Sequence, residues 1–123
     1  AVKDALKKSR VGEGVVTVFA PHTTASIRIN HNEALLKQDL MKFVYRLVPV
    51  DVSYAHDFFE IRSNPKPDER SNGHAHLKAF LFGQSQSVPV EDSVMRLGER
   101  QSIFFVEFDG GRKRRVIIKI LGE

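Results

Sequence analysis

Apolar and polar residues alternate in several short segments of the chain, and this alternation predicts a protein rich in β-structure. Segments of period 2, and short runs of β-branched and aromatic residues, are typical of strands that bury at least one face. These segments are residues 15–20, 24–30, 74–82, 88–90, 103–108 and 114–121. Pro89 cannot donate a hydrogen bond to a neighbouring strand, so its segment is predicted to lie at a sheet edge or to contain a bulge.

Two other segments show helical spacing. The apolar positions of residues 32–47 recur at i, i+4, i+7 and i+11, which predicts one long helix. Asn30 and Glu33 precede this helix with the spacing of a capping box. A short helix is predicted over residues 1–10, and a long loop over residues 54–70, where periodicity is weak.

The order of these elements predicts a single α+β domain over residues 1–123. Strands and helices do not alternate as in repeated βαβ units, so we expect packed antiparallel sheets in a β-sandwich. The turn Asp109-Gly110 predicts a hairpin between the last two strands. Each apolar run is too short to cross a bilayer, and the amino terminus lacks the pattern of a secretion signal. A cytoplasmic protein without membrane contact is therefore expected.

Charge and cysteine content narrow the chemistry. The chain has no cysteine, so His, Asp and Glu are the expected metal ligands. The formal net charge is +4, but the basic residues are dispersed and the one dense run, residues 112–115, follows the predicted turn. No nucleic-acid partner is expected, because such partners require a clustered basic surface. A small anionic or phosphorylated molecule is still a candidate ligand.

The pair His74 and His76 gives the sharpest chemical signal. In a strand over residues 74–82, residues two apart point to the same face, so both imidazoles can bind one cation. Lys78 continues this face, whereas the alternate positions are apolar and face the predicted core. In the alternative interpretation, the two histidines form hydrogen bonds to backbone or water on a solvated strand face.

A third histidine completes the predicted metal centre. His22 lies at the corner between the first two strands and is followed by Thr23 and Thr24. These hydroxyls suit phosphate or carboxylate oxygens, although turn hydroxyls more often bond their own backbone. Neutral imidazoles from His22, His74 and His76, with one water, satisfy a tetrahedral zinc site with an open position.

A second group of candidate residues lies in the long loop over residues 54–70. His56 and Asp57 place an imidazole beside a carboxylate, a combination suited to acid–base chemistry. Arg62, followed closely by Asn64, offers a guanidinium that can contact phosphate through two hydrogen bonds. Solvent-exposed loop residues and a surface ion pair explain the same pattern, so both interpretations stay open.

The motifs, read in order, form a recognisable series. They are Pro21-His22-Thr23-Thr24-Ala25-Ser26-Ile27, Ile29-Asn30 with Glu33, Asp39-Leu40, His56-Asp57, Arg62-Ser63-Asn64, Asn72 with His74-Ala75-His76-Leu77-Lys78-Ala79, Gly83 with Ser85, Pro89-Val90, Leu97-Gly98 with Gln101, and Phe108-Asp109-Gly110 with Arg112. This series resembles the YjbQ family, also described as secondary thiamine-phosphate synthases. It extends over residues 9–122, nearly the whole chain.

The resemblance implies a homotrimeric, jelly-roll-like β-sandwich with its site near a subunit boundary. It also implies weak thiamine-phosphate synthase activity, in which a hydroxyethylthiazole phosphate displaces pyrophosphate from a hydroxymethylpyrimidine diphosphate. A divalent metal, Zn²⁺ or Mg²⁺, is expected to assist by neutralising the leaving diphosphate. The predicted catalytic residues are His56, Asp57, His74 and His76, and the predicted substrate-binding residues are Thr23, Thr24, Arg62, Asn64, Lys78 and Ser85.

The sequence departs from the family pattern in three places. It begins within the first helix, so we expect either a sheet without the family's first strand or a longer natural chain. Gly98-Glu99-Arg100-Gln101 replaces a motif with tryptophan, and Gly111 replaces a proline. These changes leave the histidines intact. A non-catalytic trimer that binds a metal or metabolite is the alternative function, and histidines bonded across the trimer interface are a third interpretation.

Overall fold

The computed structural model describes residues 1–62 and 70–123, and in these ranges the chain has an α+β fold. The elements are α1 (Val2–Ser9), β1 (Gly14–Phe19), β2 (Ala25–Asn30), α2 (Ala34–Leu47), a 3-10 turn (Ala55–Asp57), α3 (Gly73–Phe82), β3 (Ser85–Glu91), β4 (Val94–Met95), β5 (Ser102–Glu107) and β6 (Ile117–Gly122). All strand pairs in these ranges are antiparallel. The predicted class, with antiparallel sheets, is therefore confirmed.

The strands form two sheets. The larger sheet has the order β4-β3-β1-β6, and the smaller sheet consists of β2 and β5. The chain changes sheet four times, between β1 and β2, β2 and β3, β4 and β5, and β5 and β6. The predicted hairpin between the last two strands is therefore wrong, because β5 pairs with β2 and β6 pairs with β1.

The smaller sheet contributes to two hydrophobic cores because its side chains alternate between its faces. On one face, Ile27 packs with Val16 and Val18 of β1 in a core that also includes Leu6 of α1. On the other face, Val106 packs against a second core. That core contains Val44 of α2, Ala75 and Ala79 of α3, and Phe108. The second core fixes the position of α3.

The helix α3 corrects the strand predicted over residues 74–82. Alternation of Leu77, Ala79 and Leu81 suggested a strand, but the segment contains no β-branched residue and is rich in good helix formers. In the structure, Ala75, Lys78 and Ala79 are buried at i, i+3 and i+4. This spacing defines one face of a helix.

The other helices occupy the segments in which helical spacing was found. The helix α2 has 14 residues, and α3 is a second substantial helix of 10 residues. The N-cap of α2 is Glu33, whose carboxylate accepts hydrogen bonds from the N–H groups of Leu35 and Leu36. Within the described ranges, none of the helices is long and apolar enough to traverse a bilayer.

Glycine is required where β1 meets β6. Gly14 lies opposite Gly122 in the antiparallel pair. A Cβ atom on Gly14 would lie 2.0 Å from the carbonyl oxygen of Leu121, well inside van der Waals contact. The two backbones can therefore approach this closely only because neither residue has a side chain.

Candidate functional site

Polar side chains gather around the first two turns of α3, and we call this group the α3 site. Its members come from α2, from the 3-10 turn, from α3 and the residue before it, and from the segment that follows β5. They are Tyr45, His56, Asp57, Asn72, His74, His76, Lys78 and Asp109. Four of them were predicted as catalytic residues and one as a substrate-binding residue.

The most deeply buried charged side chain of the site is that of Lys78, which is 1% exposed. Its Nζ lies 2.8 Å from Nδ1 of His74, one helical turn earlier. The same Nζ lies 4.2 Å from the ring centroid of Tyr45. Among the described residues, no carboxylate is recorded within ion-pair distance of this amine. The groups that interact with this amine are therefore the imidazole of His74 and the aromatic face of Tyr45.

Burial lowers the pKa of both His74 and Lys78. For His74, burial is the largest cause and the positive charge of Lys78 acts in the same direction. Asp109 and Asp57 raise the pKa of His74, but their effect is smaller. For Lys78, burial is the cause of the lowered pKa. A lowered pKa keeps the imidazole of His74 neutral at neutral pH.

His76 has a different neighbour from His74. Residues two apart on a helix differ by about 200° in direction, so the two imidazoles do not share a face. The ring of His76 packs against that of His56, with centroids 4.6 Å apart and planes inclined by 71°. The carbonyl of His56 accepts a hydrogen bond of 3.3 Å from Arg62. His56, His76 and Arg62 therefore lie together.

Asn72 and Asp109 form the polar floor of the site. The Nδ2 group of Asn72 donates to Oδ2 of Asp109 over 2.8 Å, and both residues are buried. Arg112 forms an ion pair with the same carboxylate oxygen over 2.7 Å. Arg70 donates to the backbone carbonyl of Asp109 over 2.6 Å. Two cationic side chains therefore hold the connection between β5 and β6 beside α3.

Two buried polar atoms of the site lack hydrogen-bond partners among the described residues. They are Oδ1 of Asn72 and Nε2 of His56. Leaving a buried polar group without a partner costs about 1–3 kcal/mol. Unsatisfied buried groups in a folded protein call for a specific explanation, and a bound ligand that supplies the missing partner is one such explanation.

A glycine allows the 3-10 turn to approach the start of α3. Asp57 accepts a hydrogen bond of 3.0 Å from the N–H of Gly73. A Cβ atom on Gly73 would lie 2.7 Å from Cβ of Tyr54, so a larger residue would push the turn away. The carboxylate of Asp57 also complements the positive end of the helix dipole.

His22 has other partners. Its Nε2 accepts a hydrogen bond of 2.9 Å from the N–H of Arg115, and its ring meets Phe105 edge-on. In residues 1–62 and 70–123, no three His, Asp or Glu side chains are arranged to hold a metal ion. The structure of one chain therefore does not bring His22, His74 and His76 together, and a metal centre formed by them stays a prediction.

The predicted substrate-binding residues outside α3 are dispersed. Thr24 is buried, and its hydroxyl accepts a hydrogen bond of 2.8 Å from Arg114. Thr23 is exposed, and so is Ser85 at the start of β3. Asn64 lies outside the described residues. Thr24 thus acts as part of the framework, by anchoring the connection that follows β5.

Sequence reasoning missed two members of the α3 site. Asn72 carries no signal in the sequence beyond its place in the motif of His74 and His76, and Tyr45 carries none. Tyr45 lies on α2, far from α3 in the sequence, so only the packing of the two helices shows that it contacts Lys78. The sequence allows Asp109 two interpretations, a turn residue or a carboxylate that serves as acid, base or Mg²⁺ ligand, and its burial beside Asn72 makes it part of the site.

Comparisons with known proteins give one consistent result. A family model described as UPF0047 protein YjbQ-like matches residues 1–123. A UPF0047 protein of Archaeoglobus fulgidus is 45% identical over 109 residues, which are 89% of this chain and 79% of that protein. The UPF0047 protein YugU of Bacillus subtilis is 33% identical over 120 residues, which are 95% of this chain and 81% of that protein.

Solved structures agree with this result. A protein of the YjbQ/UPF0047 family from Clostridium acetobutylicum has a TM-score of 0.84 and 38% identity, with coverage of 98% of this chain and 84% of that one. A YbjQ-like protein of unknown function from Sulfolobus solfataricus has a TM-score of 0.88 and 32% identity. That match covers 99% of this chain and 82% of the other.

Proposed function

The chain belongs to the UPF0047 family of YjbQ-like proteins, and we propose that its α3 site binds a small phosphorylated molecule and catalyses a reaction on it. The reaction that we propose is weak thiamine-phosphate synthesis. The observation that carries this proposal is the combination of a buried amine, three imidazoles and two unsatisfied polar atoms in one place. Perturbed ionisable groups gathered in this way are typical of functional sites.

The reaction requires no covalent bond to the protein. The thiazole nitrogen attacks the methylene carbon of the pyrimidine, the bond between that carbon and the diphosphate oxygen breaks, and the electron pair leaves with pyrophosphate. Negative charge therefore develops on the leaving oxygen, and positioned donors accelerate the step by stabilising it. We assign to His74, His76 and Arg62 the role of such donors, each to a different oxygen of the diphosphate. Asp57, which holds the start of α3, is assigned a positioning role.

The predicted metal centre of three histidines is not part of this proposal. A metal ligand must offer a lone pair, and the Nε2 lone pair of His22 already accepts the N–H of Arg115. In our proposal, Mg²⁺ enters with the diphosphate of the substrate. Binding of Mg²⁺ in this way requires no set of three histidine ligands, because Mg²⁺ prefers oxygen ligands and is usually bound through substrate phosphates.

We also propose the trimer and the β-sandwich that the resemblance implies. Leu77, Phe80 and Leu81 lie on α3 at i, i+3 and i+4 and are 46%, 88% and 54% exposed. An apolar stripe of this kind is typical of a surface covered by another subunit. Since it lies on the same helix as His74 and His76, the boundary would adjoin the site. The core shared by β1 and the smaller sheet supports a sandwich.

The test measures pyrophosphate release from the two thiamine precursors with Mg²⁺. The expected result is slow release by the unaltered chain and a loss of about 100-fold in kcat/KM in each of His74→Gln and His76→Gln. His31→Gln is the matched control, because His31 precedes α2 and is not a member of the α3 site. Absence of release by the unaltered chain would overturn the reaction. Unchanged release in both variants would remove the α3 site from it.

A further inference from the structure

We propose that Lys78 is a positioning residue that fixes the tautomer of His74, so that His74 presents an N–H donor to the ligand rather than a lone pair. The tautomer itself follows from the contact between the two side chains. Only its use, in holding an oxygen of an anionic ligand, rests on the function proposed above. The proposal also reassigns Lys78, which the sequence suggested as a group that contacts the substrate.

The first step is the direction of the hydrogen bond. Nζ of Lys78 and Nδ1 of His74 are 2.8 Å apart, a full hydrogen bond. An ammonium group has three N–H donors and no lone pair, so it can only donate. Nδ1 must then be the acceptor. A neutral imidazole with an acceptor at Nδ1 carries its hydrogen on Nε2.

The second step is the charge of Lys78. Burial lowers its pKa because it disfavours the charged form. The ring face of Tyr45, 4.2 Å from Nζ, attracts a cation more strongly than a neutral amine. The lone pair of His74 adds a second contact that favours the ammonium. Both contacts oppose the effect of burial.

The third step is the accessibility of the two groups. Lys78 is 1% exposed, so its amine lies beneath the site and has no room to contact a ligand directly. His74 is only partly buried. Because Nδ1 faces the interior and contacts Lys78, Nε2 is the ring nitrogen left to meet a ligand. Lys78 therefore acts through His74.

The ligand class follows from this tautomer. An Nε2–H group binds an acceptor, such as an oxygen of phosphate, diphosphate or carboxylate. A histidine that binds a metal through Nε2 usually donates its other N–H to a carboxylate, a carbonyl or water. Here the other nitrogen faces an ammonium group, which cannot accept that hydrogen. The chemistry of this pair therefore suits an anion and disfavours a divalent cation at His74.

The test is a ¹H–¹⁵N correlation spectrum of the histidine rings of the full chain at neutral pH, which distinguishes the two tautomers. We expect His74 to show a protonated Nε2 and an unprotonated Nδ1. Lys78→Met should shift both nitrogens of His74 toward the values of a tautomer mixture. Lys42→Met is the matched control, because Lys42 is an exposed residue of α2, and it should leave His74 unchanged.

Several outcomes would overturn the proposal. A protonated Nδ1 in the unaltered chain does so without any variant, so the test does not depend on the folding of Lys78→Met. Addition of inorganic phosphate should shift the Nε2–H signal of His74, whereas Zn²⁺ should not; the reverse result refutes the ligand class. If the tautomer is as expected but no pyrophosphate is released, the reaction fails and the role of Lys78 stands.

Discussion

Removal of the ion pair between Glu107 and Arg114 is the sharpest test of how the framework supports the site. Nε of Arg114 donates to Oε1 of Glu107 over 2.6 Å, and its Nη2 contacts Oε2. The Oε2 atom also accepts the N–H of Asp109 over 3.0 Å. The pair therefore ties the end of β5 to the segment that carries Asp109. Loss of the pair should loosen the segment that holds Asp109 beside Asn72 in the α3 site.

The loss of stability expected from Arg114→Met follows from the partial burial of the ion pair. The side chains of Arg114 and Glu107 are 13% and 27% exposed. Exposed pairs contribute about 0–1 kcal/mol, and breaking a fully buried pair costs about 3–5 kcal/mol. Because the contact has two points and the exposure is intermediate, we expect Arg114→Met to lower the free energy of unfolding by an amount between these limits, about 2–3 kcal/mol. The lost hydrogen bond to Thr24 contributes about 1 kcal/mol of this.

The assay is a double-mutant cycle of Arg114→Met and Glu107→Gln, with the free energy of unfolding taken from urea titrations. At neutral pH we expect a coupling energy of about 2 kcal/mol. A coupling below about 0.5 kcal/mol would show that the contact contributes no more than a surface pair. Raised salt should change the coupling little, because ions screen a partly buried pair weakly.

The pH dependence gives an independent check. Burial acts to raise the pKa of Glu107, but hydrogen bonds from Arg114 and from backbone N–H groups outweigh it, so this pKa lies below its usual value of 4.5. A carboxylate with a lowered pKa contributes stability above the unfolded value, and that stability is lost as the pH falls through the folded value. The coupling energy should therefore decline below pH 4.5. Constant coupling in acid would refute an ionic origin.

Four further predictions concern single positions. Ser93→Gly should raise the free energy of unfolding by about 0.5–1 kcal/mol, because Ser93 has a φ of 63° and glycine avoids that strain at a smaller entropic cost. Gly14→Ala should lower it by about 3 kcal/mol, since the new methyl group would lie 2.0 Å from a backbone oxygen; an unchanged urea midpoint would contradict this. Lys78→Met should raise the pKa of His74 toward 6.5 in an NMR titration, because one cause of its lowering is removed. Because the pKa of His74 is lowered, its contribution to stability is fully present above pH 6.5 and is lost as the pH drops toward the folded value. His74→Gln should remove this part of the pH dependence in urea titrations at several pH values.

The sequence pattern located most strands because their apolar residues alternate with polar ones, as in β2, or form short runs of β-branched and aromatic residues, as in β5. The pattern did not reveal the helix α3 because of one residue. Positions 75, 78 and 79 form the buried face of this helix, but position 78 is a lysine, so the apolar residues alone do not show helical spacing. A sequence does not show that a charged side chain is buried; the contact with Tyr45, which lies on another helix, decides that.

The failure of the predicted hairpin has a different physical cause. Asp109-Gly110 does turn the chain, and Gly110 has a φ of 68°. The turn is not a hairpin, however, because Arg112 binds Asp109 and Arg114 binds Glu107 and Thr24. These contacts lead the chain to the other sheet. Such long-range polar contacts leave no periodic signal in the sequence.

The change from strand to helix alters the chemistry of the histidine pair. On a strand, His74 and His76 would present two lone pairs to one cation. On α3 they point about 200° apart, and each meets its own neighbour, Lys78 for the first and His56 for the second. Separate imidazoles with different partners are suited to holding different oxygens of one extended anion. The helical backbone therefore removes the geometric reason for a metal centre shared by His74 and His76, whereas the diphosphate that we propose as ligand does not require the two imidazoles to share a face.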